Sequence, residues 1–400
     1  MSLHLPTNVQ LSEIDAPDAP LAVAAKPSAP LEPSEASISA AAAVLATARR
    51  PLIVAGLGAF RAGARSAIEA LAERTGALLV TTARGKDLFA GNPKSLGILG
   101  SFSHSIARRM ADQADCVVVF GAGLNFLTTS FGTAVPKVPL IQVDTNRANI
   151  GRWLNADVAV VGDARLAADA LRKAMPERAQ KDKPFHAPET LKLIADFNPA
   201  DDFKPENTAR TLDMRTLAME LDKVLPKNRN LVVDGGNFLG VVPYLSVPDP
   251  GCFKMIGDFA SIGLSFGAAL GMAKARPEKT TVMVVGDGGF LMTMGDLETV
   301  VREDLPLVIL VMNDCAYGAE LHFLKLRQQP VAKSVFPDVD FAPIAAGFGF
   351  DADTIRTLED LARVAPRLKA PDGPIFLDCK INADVAAAFM SEFAHFEGRH

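Results

Sequence analysis

Two apolar segments near the middle of the second half of this chain constrain its fold more than any other feature. Residues 281–285 (TVMVV) and 307–312 (LVILVM) are continuously apolar, as strands buried inside a parallel sheet usually are. The intervening residues 294–302 predict a crossover helix. Because a β-α-β crossover is almost always right-handed, both strands are expected to end at the same edge of one sheet. The pattern therefore predicts an α/β fold.

Polar residues follow each of these strands where it ends. A glycine-rich GDGG sequence follows the first strand and an Asn-Asp pair follows the second. Carboxylate and amide oxygens are ligands that Mg²⁺ prefers, and backbone N–H groups at glycines can face a diphosphate. A solvated turn is the plainer interpretation, but the paired positions favour a metal and phosphate site. The residues concerned are Gly286, Asp287, Gly288, Gly289, Asn313 and Asp314.

The stretch 286–314 resembles the thiamine diphosphate fingerprint of the acetolactate synthase, pyruvate decarboxylase and benzoylformate decarboxylase superfamily. The resemblance implies that Mg²⁺ is bound by Asp287, by Asp314 and by the backbone carbonyl of Ala316. Relatives carry a second asparagine where this chain has Asp314. An aspartate remains an oxygen ligand but adds negative charge beside the metal.

Two upstream segments extend the resemblance. The DGGN sequence at 234–237 matches a loop that contacts the diphosphate, and the segment beginning GDFASIG matches the one that carries the cofactor between the two halves of the active site. In that second segment, Ile262 aligns with the bulky residue that bends the cofactor, and Ala260 with a position that is commonly glycine. The implied cofactor-binding residues upstream are Asp234, Gly235, Gly236, Asn237, Ala260 and Ile262.

Three residues just after the metal loop are candidates to face the substrate. Tyr317, Glu320 and His322 lie where relatives place substrate-facing residues, although a surface helix would equally explain them. The family's activating glutamate belongs to a pyrimidine-binding domain. No carboxylate of this chain can be assigned that role, so the catalytic residue itself is unknown.

The chain is predicted to contain two doubly wound parallel-sheet domains. Residues 1–35 are expected to hold the end of a missing pyrimidine domain and a linker, and 36–185 a Rossmann-like central domain. Residues 186–205 form a second linker, and 206–400 form the diphosphate-binding domain. The glycines at 56, 58 and 63 do not keep dinucleotide spacing. The central domain of acetolactate synthases holds FAD, but a structural domain without nucleotide is the favoured interpretation here.

Composition excludes other classes of function. The net charge of −5 gives no basic surface for nucleic acid. No apolar run is long enough for a membrane span, and no secretion signal is evident. Four scattered cysteines indicate reduced thiols in a cytoplasmic protein.

Three functional hypotheses follow from the sequence. The preferred one is the Mg²⁺-dependent, thiamine diphosphate-binding portion of a 2-oxo acid decarboxylase or carboligase, acetolactate synthase-like. Its pyrimidine domain would come from a missing N-terminal region or a separate subunit, and a homo-oligomer is expected. The alternatives are a non-catalytic remnant or regulatory subunit, and a Rossmann-type nucleotide-binding oxidoreductase.

Overall fold

The structure is a computed structural model that describes residues 3–13, 29–176, 183–257 and 259–397, without the side chains of 394–397. The chain divides into two compact units, residues 1–30 and 31–400. In the first unit the described residues include one short helix, α1 (Thr7–Gln10). All of the sheet structure described below belongs to the second unit.

The second unit alternates strands and helices along most of its length. Its strands are β1 (Pro51–Ala55), β2 (Leu78–Thr81), β3 (Ser95–Ile98), β4 (Cys116–Phe120), β5 (Leu140–Asp144), β6 (Val158–Val161), β7 (Arg229–Val233), β8 (Phe253–Met255), β9 (Thr280–Gly286), β10 (Leu307–Asn313), β11 (Asp351–Ile355) and β12 (Ile375–Lys380). Its helices are α2 (Glu35–Ala46), α3 (Leu57–Arg61), α4 (Arg65–Thr75), α5 (Ser105–Ala111), α6 (Phe126–Thr129), α7 (Ala164–Ala174), α8 (Pro188–Ala195), α9 (Met214–Val224), α10 (Ser265–Ala275), α11 (Asp287–Thr293), α12 (Leu297–Arg302), α13 (Gly318–Leu326), α14 (Ala342–Phe348), α15 (Leu358–Lys369) and α16 (Ala388–Glu397).

The first sheet is parallel throughout and has the strand order β3-β2-β1-β4-β5-β6. Alternate residues of its strands pack against helices on opposite faces. Ile53 of β1 belongs to a core cluster with residues of α2, α4 and α7, whereas Leu52 belongs to a cluster with residues of α5. Burial on both faces explains why these strands are continuously apolar.

The second sheet is also parallel throughout, in the order β11-β12-β10-β9-β7-β8. One face packs against α9 and α15, and the other packs against α10, α12 and α14. Strands β9 and β10 are direct neighbours, and Met312 pairs with Gly286 at the edge where both strands end. The two doubly wound parallel sheets confirm the predicted fold class.

One local prediction was wrong. The sequence predicted helix in the crossover only at 294–302, but a further helix, α11, begins at Asp287, directly after β9. A 3-10 turn at Met294–Asp296 then separates α11 from α12. An acidic residue in the first turn of a helix is favoured by the helix dipole, which offsets the low helix propensity of the two glycines.

The glycines that follow β1 permit close backbone contact. A Cβ atom at Gly56 would lie 2.3 Å from the carbonyl oxygen of Gly121, and one at Gly58 would lie 2.7 Å from the Cα of Gly121. Gly121 follows β4, the neighbour of β1. Packing between these two loops is therefore sufficient to account for both glycines.

All four cysteines are free: Cys116, Cys252, Cys315 and Cys379. In the part of the chain that the structure describes, no helix is long and apolar enough to cross a membrane.

Candidate functional site

A cavity of about 390 Å³ lies where β7, β9 and β10 end. The polypeptide leaves each of these neighbouring strands through a polar residue: Asp234 after β7, Asp287 after β9, and Asp314 after β10. Thirteen of the residues predicted from the sequence line this cavity: Gly235, Gly236, Asn237, Ala260, Ile262, Gly286, Asp287, Gly288, Gly289, Asp314, Ala316, Tyr317 and Glu320.

Asp287 and Asp314 form a pair of buried carboxylates at the floor of the cavity. The carboxylate of Asp287 accepts hydrogen bonds from the backbone N–H of Gly288 at 2.8 Å and of Ala316 at 3.1 Å. Burial raises the pKa of both carboxyl groups above the usual range, and the charge of Asp287 raises the pKa of Asp314 further. A divalent cation would relieve both effects, because it stabilises the ionised carboxylates.

All charged side chains among the described residues that line the cavity are negative. Its carboxylates are Asp287, Asp314 and Glu320, and no lysine, arginine or histidine is found among its described lining residues. The described residues contain no cluster of three His, Cys, Asp or Glu side chains close enough to hold a metal. A cation here would therefore have two carboxylate ligands and take its remaining ligands from backbone carbonyls, water or a bound anion.

Asp234 lies beneath the cavity and carries an unpaired oxygen. Its side chain is fully buried, and one carboxylate oxygen accepts the backbone N–H of Gly263 at 2.6 Å. The other oxygen, Oδ1, has no hydrogen-bond partner among the described residues. Burial raises the pKa of this carboxyl group. A buried polar atom without a partner is costly, and the hydroxyl of Ser265 is also buried without a partner among the described residues.

Glycines let neighbouring groups approach the cavity floor. A Cβ at Gly288 would lie 2.5 Å from the ring of Tyr317, and one at Gly318 would lie 2.2 Å from Oδ2 of Asp314. At Gly236, φ is +150° and a Cβ would meet the ring of Phe238 at 2.7 Å. Larger residues at these positions would displace the tyrosine, the carboxylate or the phenylalanine.

Ala260 and Ile262 line the cavity on the segment before α10. Ala260 has φ of +58°, the left-handed region in which glycine is favoured. This conformation gives a physical reason for the glycine that relatives commonly carry there. The Cγ2 atom of Ile262 would be 3.8 Å from a Cβ at Gly235, so the isoleucine side chain lies over the DGGN loop.

The side chains of two asparagines hold the loops after β7 and β10 in place. Asn313 donates to Oδ1 of Asp378 at 2.9 Å, and its Oδ1 accepts the backbone N–H of Cys315. Asn237 donates to the carbonyl of Val385 at 2.9 Å and accepts the N–H of Ala387 at 2.8 Å.

Three predicted residues do not line the cavity: Asp234, Asn313 and His322. His322 is buried, its Nε2 has no hydrogen-bond partner among the described residues, and burial lowers its pKa. Tyr317 and Glu320, the other candidates to face the substrate, do line the cavity.

Much of the cavity wall is aromatic and comes from segments that sequence reasoning missed. The C-terminal helix α16 contributes Phe389, Met390 and Phe393, the loop after β3 contributes Phe102, and helix α6 contributes Phe126. The rings of Phe102 and Phe389 have centroids 5.5 Å apart, and those of Phe126 and Phe393 are 6.1 Å apart. No motif or spacing in the sequence joins these distant segments.

Comparison with known protein families gives two matches. Residues 38–171 match the family described as thiamine pyrophosphate enzyme, central domain. Residues 234–379 match the family described as thiamine pyrophosphate enzyme, C-terminal TPP binding domain. The second match begins at Asp234 and includes the loops after β7, β9 and β10.

Individual relatives are similar at modest identity. The "Probable acetolactate synthase large subunit" of Methanocaldococcus jannaschii is 28% identical over 95% of this chain and 66% of the relative. The sulfoacetaldehyde acetyltransferase of Castellaniella defragrans is 28% identical over 83% of this chain and 59% of the relative. The chain thus spans less than two thirds of the length of the curated relatives it matches.

A solved structure has the same fold. The X-ray structure of a candidate thiamin diphosphate-dependent enzyme from Mycobacterium smegmatis superposes with a TM-score of 0.68 at 22% identity. The superposition covers 90% of this chain and 67% of the other.

Proposed function

This chain belongs to the thiamine diphosphate-dependent enzyme superfamily, and from that premise we propose that the cavity binds thiamine diphosphate through Mg²⁺. The observation that carries the proposal is the pair of buried carboxylates, Asp287 and Asp314, in a cavity whose described lining has no basic side chain. Such a cavity does not suit an anionic diphosphate unless a cation is bound with it.

The residues present fit both groups. Asp287, Asp314 and the carbonyl of Ala316 would hold the metal, and the glycines of the DGGN loop, which line the cavity, would leave room for the cofactor. Ile262, which lines the cavity over the DGGN loop, would contact the cofactor. When bound, thiamine diphosphate supplies the nucleophilic carbon and electron sink needed to break the bond beside a 2-oxo group.

The proposed reaction class is decarboxylation of a small 2-oxo acid or transfer of its remaining carbon unit to an acceptor, as in an acetolactate synthase-like enzyme. Tyr317 and Glu320 line the cavity, and we expect them to contact the substrate. The activating glutamate would come from a pyrimidine-binding domain outside the regions that match the two families. Sequence similarity to decarboxylases and transferases supports this class.

Exposed apolar residues beside the cavity support a further covering domain or subunit. Phe259 precedes the cavity residue Ala260 and is 83% exposed, and Met292 of α11 is 58% exposed. Leu264 and Leu291 are also exposed, on the same two segments. A Cβ at Gly263 would lie 3.5 Å from the Cβ of Met292, so the two segments are in contact. Apolar surface of this kind commonly marks an interface.

Asp287→Ala is expected to abolish Mg²⁺-dependent binding of thiamine diphosphate, because it removes one of only two carboxylate ligands. Isothermal titration of the chain with thiamine diphosphate, with and without Mg²⁺, measures this loss. Asp372→Ala is the matched control, since Asp372 lies in an exposed loop before β12. Unchanged affinity in Asp287→Ala would refute the assignment of the site.

A further inference from the structure

Asp314 gives this metal site one more negative charge than the asparagine of its relatives would. The carboxylate is 9% exposed and lies in the same cavity as Asp287, which is 2% exposed. Because water screens buried charges poorly, the change from amide to carboxylate has a larger effect here than on the surface.

The loop leaves room for the side chain at position 314. A Cβ at Gly318 would lie 2.2 Å from Asp314 Oδ2, so the glycine at position 318 makes space for the end of this side chain. Asp287 accepts hydrogen bonds from Gly288 and from Ala316, and Ala316 belongs to the same 314–318 loop as Asp314. The backbone of this loop therefore helps to hold the two carboxylates near each other.

The charges at positions 287 and 314 affect the binding of Mg²⁺ and the binding of a diphosphate in opposite ways. Two ionised carboxylates together cancel the charge of one Mg²⁺, whereas one carboxylate and one amide leave a net positive charge that favours an anion. The carboxylate pair therefore strengthens the binding of the metal itself and weakens the attraction of the filled site for a diphosphate.

We infer that Asp314 makes Mg²⁺ bind to this chain before thiamine diphosphate and without needing it. This inference rests on the proposed function, because it assigns an order of binding to the same site. The protein alone would hold the metal, and the cofactor would then bind to a preloaded site whose carboxylates are already neutralised.

Asp314→Asn tests the inference because it is expected to change two affinities in opposite directions. In a titration with Mg²⁺ alone, we expect the affinity of the variant to fall by about tenfold or more, since ligand charge sets the affinity of such sites. In a titration with thiamine diphosphate at saturating Mg²⁺, we expect the variant to bind the cofactor more tightly than the unmodified chain. Calorimetry measures both without an activity assay.

Glu320→Gln is the control for charge alone. It removes one negative charge from the same cavity at a residue that the proposed function does not count among the metal ligands. We expect it to change the Mg²⁺ affinity by less than about threefold, because the metal responds most to the groups that coordinate it.

Three results would overturn the inference: no binding of Mg²⁺ to the unmodified chain without cofactor, parallel weakening of both affinities in Asp314→Asn, or an equal effect of Glu320→Gln. Failure of the proposed function is distinguishable from these results. In that case the unmodified chain does not bind thiamine diphosphate even when it is saturated with Mg²⁺.

Discussion

Lys380 is a buried cation that organises the loop carrying the metal-site residues. Its side chain is 1% exposed, and Nζ lies 2.9 Å from Asp338 and 3.1 Å from the fully buried Asp378. Asp378 in turn accepts a hydrogen bond from Asn313, the residue before Asp314. The position of the candidate metal ligand therefore depends on a charge network behind the cavity.

Lys380→Met should destabilise the fold by about 3–5 kcal/mol, because it leaves the buried carboxylate of Asp378 without its cation. Urea denaturation measures the free energy of unfolding. Lys369→Met is the control, since Lys369 is exposed at the end of α15 and its loss should cost less than about 0.5 kcal/mol. Similar midpoints for the two variants would contradict this account of Lys380.

At the scale of single elements, the sequence predicts the strand ends that form the β7–β9–β10 edge. It does not predict strand β11 or the aromatic wall of the cavity. Strands β9 and β10 are long, continuously apolar and followed by polar residues, so both their existence and their shared edge follow from the sequence. Strand β11 has the sequence DADTI and is largely exposed or half-buried, so no apolar run identified it. The aromatic wall depends on tertiary contacts between α16 and the first sheet's loops, which local patterns do not encode.

Helix α9 begins at an aspartate that both caps the helix and pairs with an arginine. Asp213 is fully buried and accepts hydrogen bonds from the backbone N–H of Arg215 at 2.8 Å and from its guanidinium at 2.6 and 2.9 Å. Burial opposes ionisation of this carboxyl group, but the bonds from Arg215 outweigh it, and the pKa of Asp213 is lowered. A lowered pKa means that the ionised form stabilises the folded state.

Asp213→Asn should therefore cost about 1–3 kcal/mol at pH 7, where the charge-assisted bonds are intact. Asparagine still caps the helix, so the loss reflects the charge. The charge of Asp213 stabilises the fold in full above the ordinary aspartate pKa of about 3.9, and this stabilisation is lost as the pH falls through the lower pKa of Asp213 in the folded state. The difference in free energy of unfolding between Asp213→Asn and the unmodified protein should therefore shrink below about pH 4. Denaturation curves recorded from pH 7 to pH 3 measure this difference.

Asp163→Asn serves as the control for that measurement. Asp163 caps α7 through the N–H groups of Arg165 and Leu166. Asparagine caps a helix about as well as aspartate, so the cost at pH 7 should be less than about 1 kcal/mol. A difference between Asp213→Asn and the unmodified protein that stays constant across the pH range would contradict the role assigned to the charge.

At the scale of the whole second unit, helix α16 joins the two sheets across the cavity. Glu392 forms an ion pair with Arg108 of α5 and accepts a hydrogen bond from Ser101 at 2.6 Å. On the same helix, Phe393 packs against Phe131 with ring centroids 4.7 Å apart. The C-terminal helix thus follows the second sheet in sequence and contacts both α5 and loops near the first sheet and Phe323 of α13 near the second.

Glu392→Ala should loosen α16 and make it more sensitive to protease, because the variant leaves the guanidinium of Arg108 without its carboxylate partner. A loss of about 1–2 kcal/mol would raise the population of the open helix roughly 5- to 30-fold. Limited proteolysis, with the cleavage sites identified by mass spectrometry, measures the rate of cutting within α16. Ser391→Ala is the control, because the exposed Ser391 hydroxyl bonds, among the residues whose side chains are described, only to its own helix, at the carbonyl of Ala388. Equal cleavage rates in the two variants would mean that the ion pair between Glu392 and Arg108 contributes nothing to holding α16 over the cavity.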